Sequence, residues 1–180
     1  MKVVVFFATG YEEVEALSVV DVLRRGGVEV IMAGVDGDVV ASARQIKIQM
    51  DQKAEDINYD EIDMVVLPGG LPGVDNLYAS ELVKNKVLEF KAANKWIGAI
   101  CAGPSVLGKF GVLEGENATC YPGFEQYLHG ATHVEDRTVV SNKIVTGKGA
   151  GASFEFALQI LEIAAGKEKA EQIKNAMIIL

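Results

Sequence analysis

Cysteine and histidine are both scarce in this chain, two of each in 180 residues. Two cysteines, Cys101 and Cys120, are too few for a disulfide framework, and they do not form the Cys-x-x-Cys pair that a dithiol oxidoreductase uses. That argues for a reducing, cytoplasmic setting. His129 and His133 do not adjoin either cysteine, so a Cys-His protease or amidase triad has little to build on. His133-Val134-Glu135 has the form of a His-x-Glu dyad but precedes the last pair of strands instead of following it. No cluster of His, Cys and acidic residues has ligand spacing, so we expect no metal. Basic charge is also short: 17 Lys and Arg face 25 Asp and Glu, a net charge of −8. Lys84, Lys86, Lys167 and Lys169 are interleaved with glutamates and suit solvated helix faces. Without a cationic patch, nucleic acid and anionic membrane surfaces are poor partners. The opening apolar run, residues 3–8, is too short to cross a bilayer and is followed by acidic residues, not by a cleavage site.

Glycine is what the chain has in quantity, and its 19 copies gather where strands end. Residues 3–8 form a continuous apolar, β-branched run, as in strands covered on both faces. Residues 11–25 carry Ala16, Val19, Val20, Val22 and Leu23 on one helical face, with Gly26-Gly27 as a stop. Residues 28–33 are a second strand, giving a βαβ unit. Residues 39–41 and 46–48 suit a small hairpin on the sheet's edge. Further strands are expected at 63–67, 96–100, 118–121, 138–141 and 143–146. Helices are expected at 76–91, 103–110 and 153–165, with a helix or turn over 122–129. Alternation at this spacing predicts a doubly wound α/β fold, a mostly parallel sheet with helices on both faces, in one domain spanning residues 1–180.

In that architecture ligands bind beyond the carboxyl ends of the strands. Residues 9–15, 68–73, 101–104 and 147–151 all fall there. Cys101 lies at the turn between a buried strand and a helix opened by Gly103-Pro104, the layout of a nucleophile elbow. Helix N–H groups aimed at the sulfur favour thiolate, and such positions bring a thiol pKa from about 8.5 down to roughly 3.5–7.5. Glu12, Glu13 and Glu15 open the first helix, where carboxylates also offset the dipole. Glu15 and Glu12 lie on similar azimuths near the apolar stripe. A buried carboxyl there stays protonated and donates to a neighbouring thiolate, and helical geometry alone does not choose between the two. Backbone N–H groups of Gly70 and Ala102 are placed to hold an oxyanion. The run Gly147-Lys148-Gly149-Ala150-Gly151 lacks Walker spacing and suits close backbone approach to the cysteine pocket instead.

Five motifs together resemble the DJ-1/ThiJ/PfpI superfamily, and its parkinsonism-associated DJ-1 branch more than its protease branch. They are Glu12-Glu-Val-Glu15, Val20-Asp-Val-Leu-Arg-Arg25, Val66-Leu-Pro-Gly-Gly70, Ala99-Ile-Cys-Ala-Gly-Pro104 and Ala152-Ser-Phe-Glu-Phe-Ala-Leu158, in register along a stretch that ends with Met177-Ile-Ile-Leu. The resemblance implies a flavodoxin-like fold of the class I glutamine amidotransferase type and a homodimer. It implies Cys101 as the reactive cysteine, Glu15 rather than Glu12 as the protonated carboxyl, and Gly70 and Ala102 as oxyanion donors. Gly69, Tyr121, Gly149 and Ala150 are then expected to line the pocket. The implied activity is cofactor-independent glyoxalase or deglycase chemistry on dicarbonyls or on glycated protein side chains. The alternatives are a redox sensor or chaperone using the same cysteine and, third, a cysteine protease or amidase. Two positions depart from the branch pattern. Tyr121 precedes Pro122 where a histidine is common, as an aromatic does in some bacterial members, and Ala150 stands where a proline is common.

Overall fold

The computed structural model of the chain describes residues 1–179, so position 180, the last of the stretch compared above, lies outside it. In chain order the elements are β1 (Lys2–Phe7), α1 (Glu13–Arg25), β2 (Glu29–Gly34), β3 (Val39–Ala41), β4 (Lys47–Gln49), β5 (Gln52–Lys53), β6 (Met64–Leu67), α2 (Gly73–Ala79), α3 (Glu81–Ala92), β7 (Trp96–Ile100), α4 (Gly103–Lys109), β8 (Asn117–Ala118), β9 (Thr132–His133), β10 (Thr138–Ser141), β11 (Ile144–Gly147), α5 (Ser153–Ala165) and α6 (Lys167–Ala176). The central sheet runs β10-β11-β7-β6-β1-β2-β5. Every neighbouring pair is parallel except β10 with β11. The strand order reverses between β6 and β1, which is where a doubly wound sheet opens a crevice.

The apolar run of β1 has a direct explanation. Val4 and Phe6 face one core, with α2, α3 and α4 supplying Leu77, Val83, Val87 and Leu107. Val3, Val5 and Phe7 face the other, where α1, α5 and α6 supply Val19, Leu23, Phe156, Ile160 and Ile173. A strand whose side chains alternate between two cores needs apolar residues at every position, so the doubly wound arrangement is already written in its composition.

Local boundaries differ in four places. The helix expected over 76–91 starts at Gly73 and breaks at Ser80, whose hydroxyl accepts from Val83 N at 3.3 Å and so caps α3. The hairpin forms as a separate β3–β4 ribbon, and the sheet's edge is β5 instead. Gly10 N donates to Ala41 O and Ala43 N to Tyr11 O, each at 2.8 Å, so the ribbon covers the carboxyl end of β1. Of residues 118–121 only Ala118 lies in a strand, because Thr119 N turns to the Thr146 hydroxyl at 3.0 Å and Tyr121 N to Cys101 O at 2.9 Å. Residues 122–129 contain one short 3-10 turn, Glu125–Tyr127.

Candidate active site

Cys101 directly follows β7, with its N–H on Gly147 O at 2.8 Å and its carbonyl accepting from Tyr121 N. Between those anchors its backbone takes φ 63°, the left-handed region that a side chain enters at a cost of about 1–3 kcal/mol. The strain has a use: the turn lifts the side chain off the strand line and into a cavity of about 410 Å³, while the residue stays partly exposed. The N–H groups of Gly70 and Ala102 both reach the sulfur.

Glu15 approaches from α1. It is fully buried, 0% exposed, where a helix normally puts an aliphatic residue. Oε2 accepts from Gly69 N at 2.8 Å, while Oε1 is buried without a hydrogen-bond partner, and the side chain that engages the carboxyl is the Cys101 thiol. Gly69 is obligatory for this contact. A Cβ there would stand 2.7 Å from both the Cys101 Cβ and Glu15 Oε2.

The two groups share one electrostatic problem. Burial raises the Glu15 carboxyl to about 7, with the Glu12 charge adding to the rise, and the Cys101 contact, the Gly69 N–H and the Arg44 charge opposing it. Burial likewise pushes the Cys101 thiol up, the Glu15 carboxylate pushes it further, and the N–H groups of Ala102 and Gly70 act the other way. The pair therefore resists holding two negative charges, and around pH 7 it passes from two protons and no charge to one shared proton and one charge. This corrects the simple expectation of a thiol lowered by a helix end. The helix α4 starts two residues further on, and desolvation outweighs the two donors. The sulfur is available as thiolate only while Glu15 holds the proton.

Of the residues expected from sequence, Glu15, Gly70, Cys101, Ala102, Tyr121 and Ala150 line the cavity. Gly69 and Gly149 do not. Gly69 lies behind the Cys101–Glu15 contact, and Gly149 backs the Tyr121 ring, where a Cβ would come within 3.2 Å of Cδ2. Neither histidine lines the cavity, and His133 Nδ1 stands 3.9 Å from Glu135 Oε1. Glu12, the alternative to Glu15, lines the cavity as well, and three lining residues were not anticipated: Leu71, Phe124 and Arg44. Leu71 falls in the 68–73 segment already placed near the site, whereas Phe124 lies in the stretch expected only as a helix or turn. Arg44, on the β3–β4 turn, reaches Glu12 Oε2 at 2.8 Å across the cavity mouth, and no sequence signal marks it.

The model of the DJ-1/PfpI family matches residues 1–163. The chain is 38% identical to Protein dj-1beta of Drosophila melanogaster over 178 residues, 97% of this chain and 95% of that one. It is 36% identical to the glutathione-independent glyoxalase DJR-1.2 of Caenorhabditis elegans over 174 residues, 93% of this chain and 90% of that one. The solved structure of oxidised Toxoplasma gondii DJ-1 superposes with a TM-score of 0.94 at 37% identity, covering 98% of this chain and 97% of that one. The mostly parallel central sheet flanked by helices matches the flavodoxin-like fold of that neighbour.

Proposed function

This chain belongs to the DJ-1/PfpI family, and from that premise we propose that it is a cofactor-independent enzyme that converts 2-oxoaldehydes such as methylglyoxal, free or as early adducts on protein side chains, into 2-hydroxy acids. The observation that carries this reading is the fully buried Glu15, one oxygen unpartnered, set against the Cys101 sulfur at the floor of an open cavity. Carboxyl and thiol in contact are what a proton-shuttling covalent mechanism needs.

The steps balance without an external oxidant. With the proton on Glu15, the Cys101 thiolate adds to the aldehyde carbon, and the N–H groups of Gly70 and Ala102 hold the developing oxyanion. Such donors contribute on the order of 3 kcal/mol each. Glu15 protonates that oxygen to give a hemithioacetal. The resulting carboxylate removes the C1 hydrogen as a proton to give an enediolate, the hydroxyl proton passes from O1 to O2, and Glu15 returns its proton to C2, so C1 becomes the thioester carbonyl as C2 becomes a carbinol. Water then hydrolyses the thioester, releasing the hydroxy acid and the thiol. The glyoxalase name of the nematode relative supports this direction for the family.

Purified protein is expected to form lactate from methylglyoxal without added glutathione, and Cys101→Ser to abolish it. Turnover retained in that variant would sink the mechanism. A second reading, in which Cys101 is a redox sensor or part of a chaperone, is favoured by its partial exposure beside two N–H donors and by the relative solved in an oxidised form. Peptide mass spectrometry after mild peroxide separates the two cysteines. Sensing requires Cys101 to be modified well before the buried Cys120. From the family resemblance we also read the protein as a cytoplasmic homodimer, which light scattering checks. Among the described residues no helix is long and apolar enough to cross a membrane.

A further inference from the structure

The cavity has two unlike halves. Its floor carries Cys101, Glu15 and the N–H groups of Gly70 and Ala102, and one wall is Leu71, Tyr121, Phe124 and Ala150. At about 410 Å³ it falls within the roughly 300–1,000 Å³ typical of sites for ligands far larger than a three-carbon dicarbonyl. An apolar cavity of about 150 Å³ already admits a benzene ring. On this wall the Tyr121 hydroxyl is the only side-chain hydrogen-bonding group, and Arg44 and Glu12 at the mouth are paired with each other.

Tyr121 is 50% exposed, an unusual way to leave a large ring, yet its position is determined on three sides. Its N–H is tied to the Cys101 carbonyl at 2.9 Å, so the ring rises directly beside the sulfur-bearing residue. Phe124 meets it edge-on, with centroids 6.4 Å apart and planes at 75°. Gly149 lies against its edge, where any side chain would crowd it. A ring fixed in this way loses little freedom when a second flat apolar group packs on it, and an aromatic contact of that kind is favourable beyond its buried area.

Building on the proposed function, we propose that Tyr121 is a specificity-determining residue and that the preferred substrates are 2-oxoaldehydes bearing a flat apolar substituent, such as an aryl group. Polyhydroxylated sugar-derived dicarbonyls are disfavoured, because their hydroxyls would leave water for a wall with almost nothing to bond them. The reaction at the floor is the one given above: phenylglyoxal plus water gives mandelate, with C1 oxidised and C2 reduced.

The test compares kcat/KM for phenylglyoxal and methylglyoxal in the wild type, Tyr121→Ala and Tyr121→Phe. The expected result is a phenylglyoxal-to-methylglyoxal ratio that falls roughly ten- to a hundredfold in Tyr121→Ala and is retained in Tyr121→Phe. An unchanged ratio in Tyr121→Ala overturns the inference. A second arm needs no turnover: Cys101→Ser protein is titrated calorimetrically with mandelate and with lactate. Tighter binding of mandelate, lost when Tyr121→Ala is added, supports the assignment, and equal binding of the two acids overturns it. Should neither aldehyde be turned over, the proposed function fails while this binding arm still decides the role of Tyr121.

Discussion

Glu15 and Glu116 are both buried acids, 0% and 4% exposed, on opposite sides of the chemistry. Glu116 is saturated. Its Oε1 accepts from Lys91 Nζ at 2.8 Å, and its Oε2 from Ser141 Oγ at 2.6 Å and Asn142 Nδ2 at 2.8 Å. Burial alone would raise its pKa, but those three donors outweigh burial and hold it below the usual carboxylate range. The result is a permanent charge that ties α3 to the turn between β10 and β11. Glu15 has one backbone donor and one oxygen without a partner, and it is raised to about 7. Both are closed to solvent, but Glu15 lies much deeper among surrounding atoms than Glu116, so depth of burial and donor count together separate a fixed structural ion from an acid able to exchange its proton.

The largest way to break this comparison is catalytic. Glu15→Gln is expected to lower kcat/KM on methylglyoxal by about 100- to 10,000-fold, the range for a lost general acid-base group. Glu116→Gln is expected to leave it within a few-fold of wild type. Equal losses would erase the distinction.

Stability against pH comes next. Between the ordinary value of 4.5 and about 7, folded Glu15 keeps a proton that the unfolded chain has released. Its contribution is complete below that window and declines as pH rises through it, by up to about 3 kcal/mol. Urea midpoints of Glu15→Gln against wild type should therefore improve for the variant over the same window. Glu116 has the opposite sign, since its lowered value means a contribution present above 4.5 and lost as pH falls further. A constant difference between Glu15→Gln and wild type from acid to neutral pH would rule out the raised carboxyl.

At fixed neutral pH, Glu116→Gln should cost about 2 kcal/mol by chemical denaturation, since it weakens charge-assisted bonds and strands part of a buried network. A negligible loss would mean the network is ornamental. The smallest effect belongs to Arg44, whose side chain is 66% exposed. Its charge lowers Glu15, so Arg44→Ala should move the pH-rate profile upward by a fraction of a unit. A downward move would contradict the assigned direction.

Much of the site was legible because it lies in local motifs. The strand-to-helix turn at Cys101, the Gly69-Gly70 loop and the acidic opening of α1 are each short-range signals, and all converge at the carboxyl end of the sheet. Glu12 and Glu15 were not separable by azimuth. Tertiary packing parts them, sending Glu15 inward to Gly69 and Cys101 and Glu12 outward to Arg44. Arg44 itself was invisible, because a turn between two three-residue strands carries no motif and reaches the cavity only through the bonds of the β3–β4 ribbon to Gly10 and Tyr11. The break at Ser80 was missed because neither glycine nor proline marks it, and a serine that caps α3 inside an apolar-rich run is a weak local signal.

The chain's own composition and periodicity determined the layered fold and the place of the reactive turn, because alternation of apolar residues and strand-end glycines act over a few positions at a time. Only the folded molecule decided the protonation of the Cys101–Glu15 pair and the shape of the wall that Tyr121 forms. Both depend on how much water and how many donors surround a group, and those come from segments dozens of residues apart that meet only when the sheet has assembled.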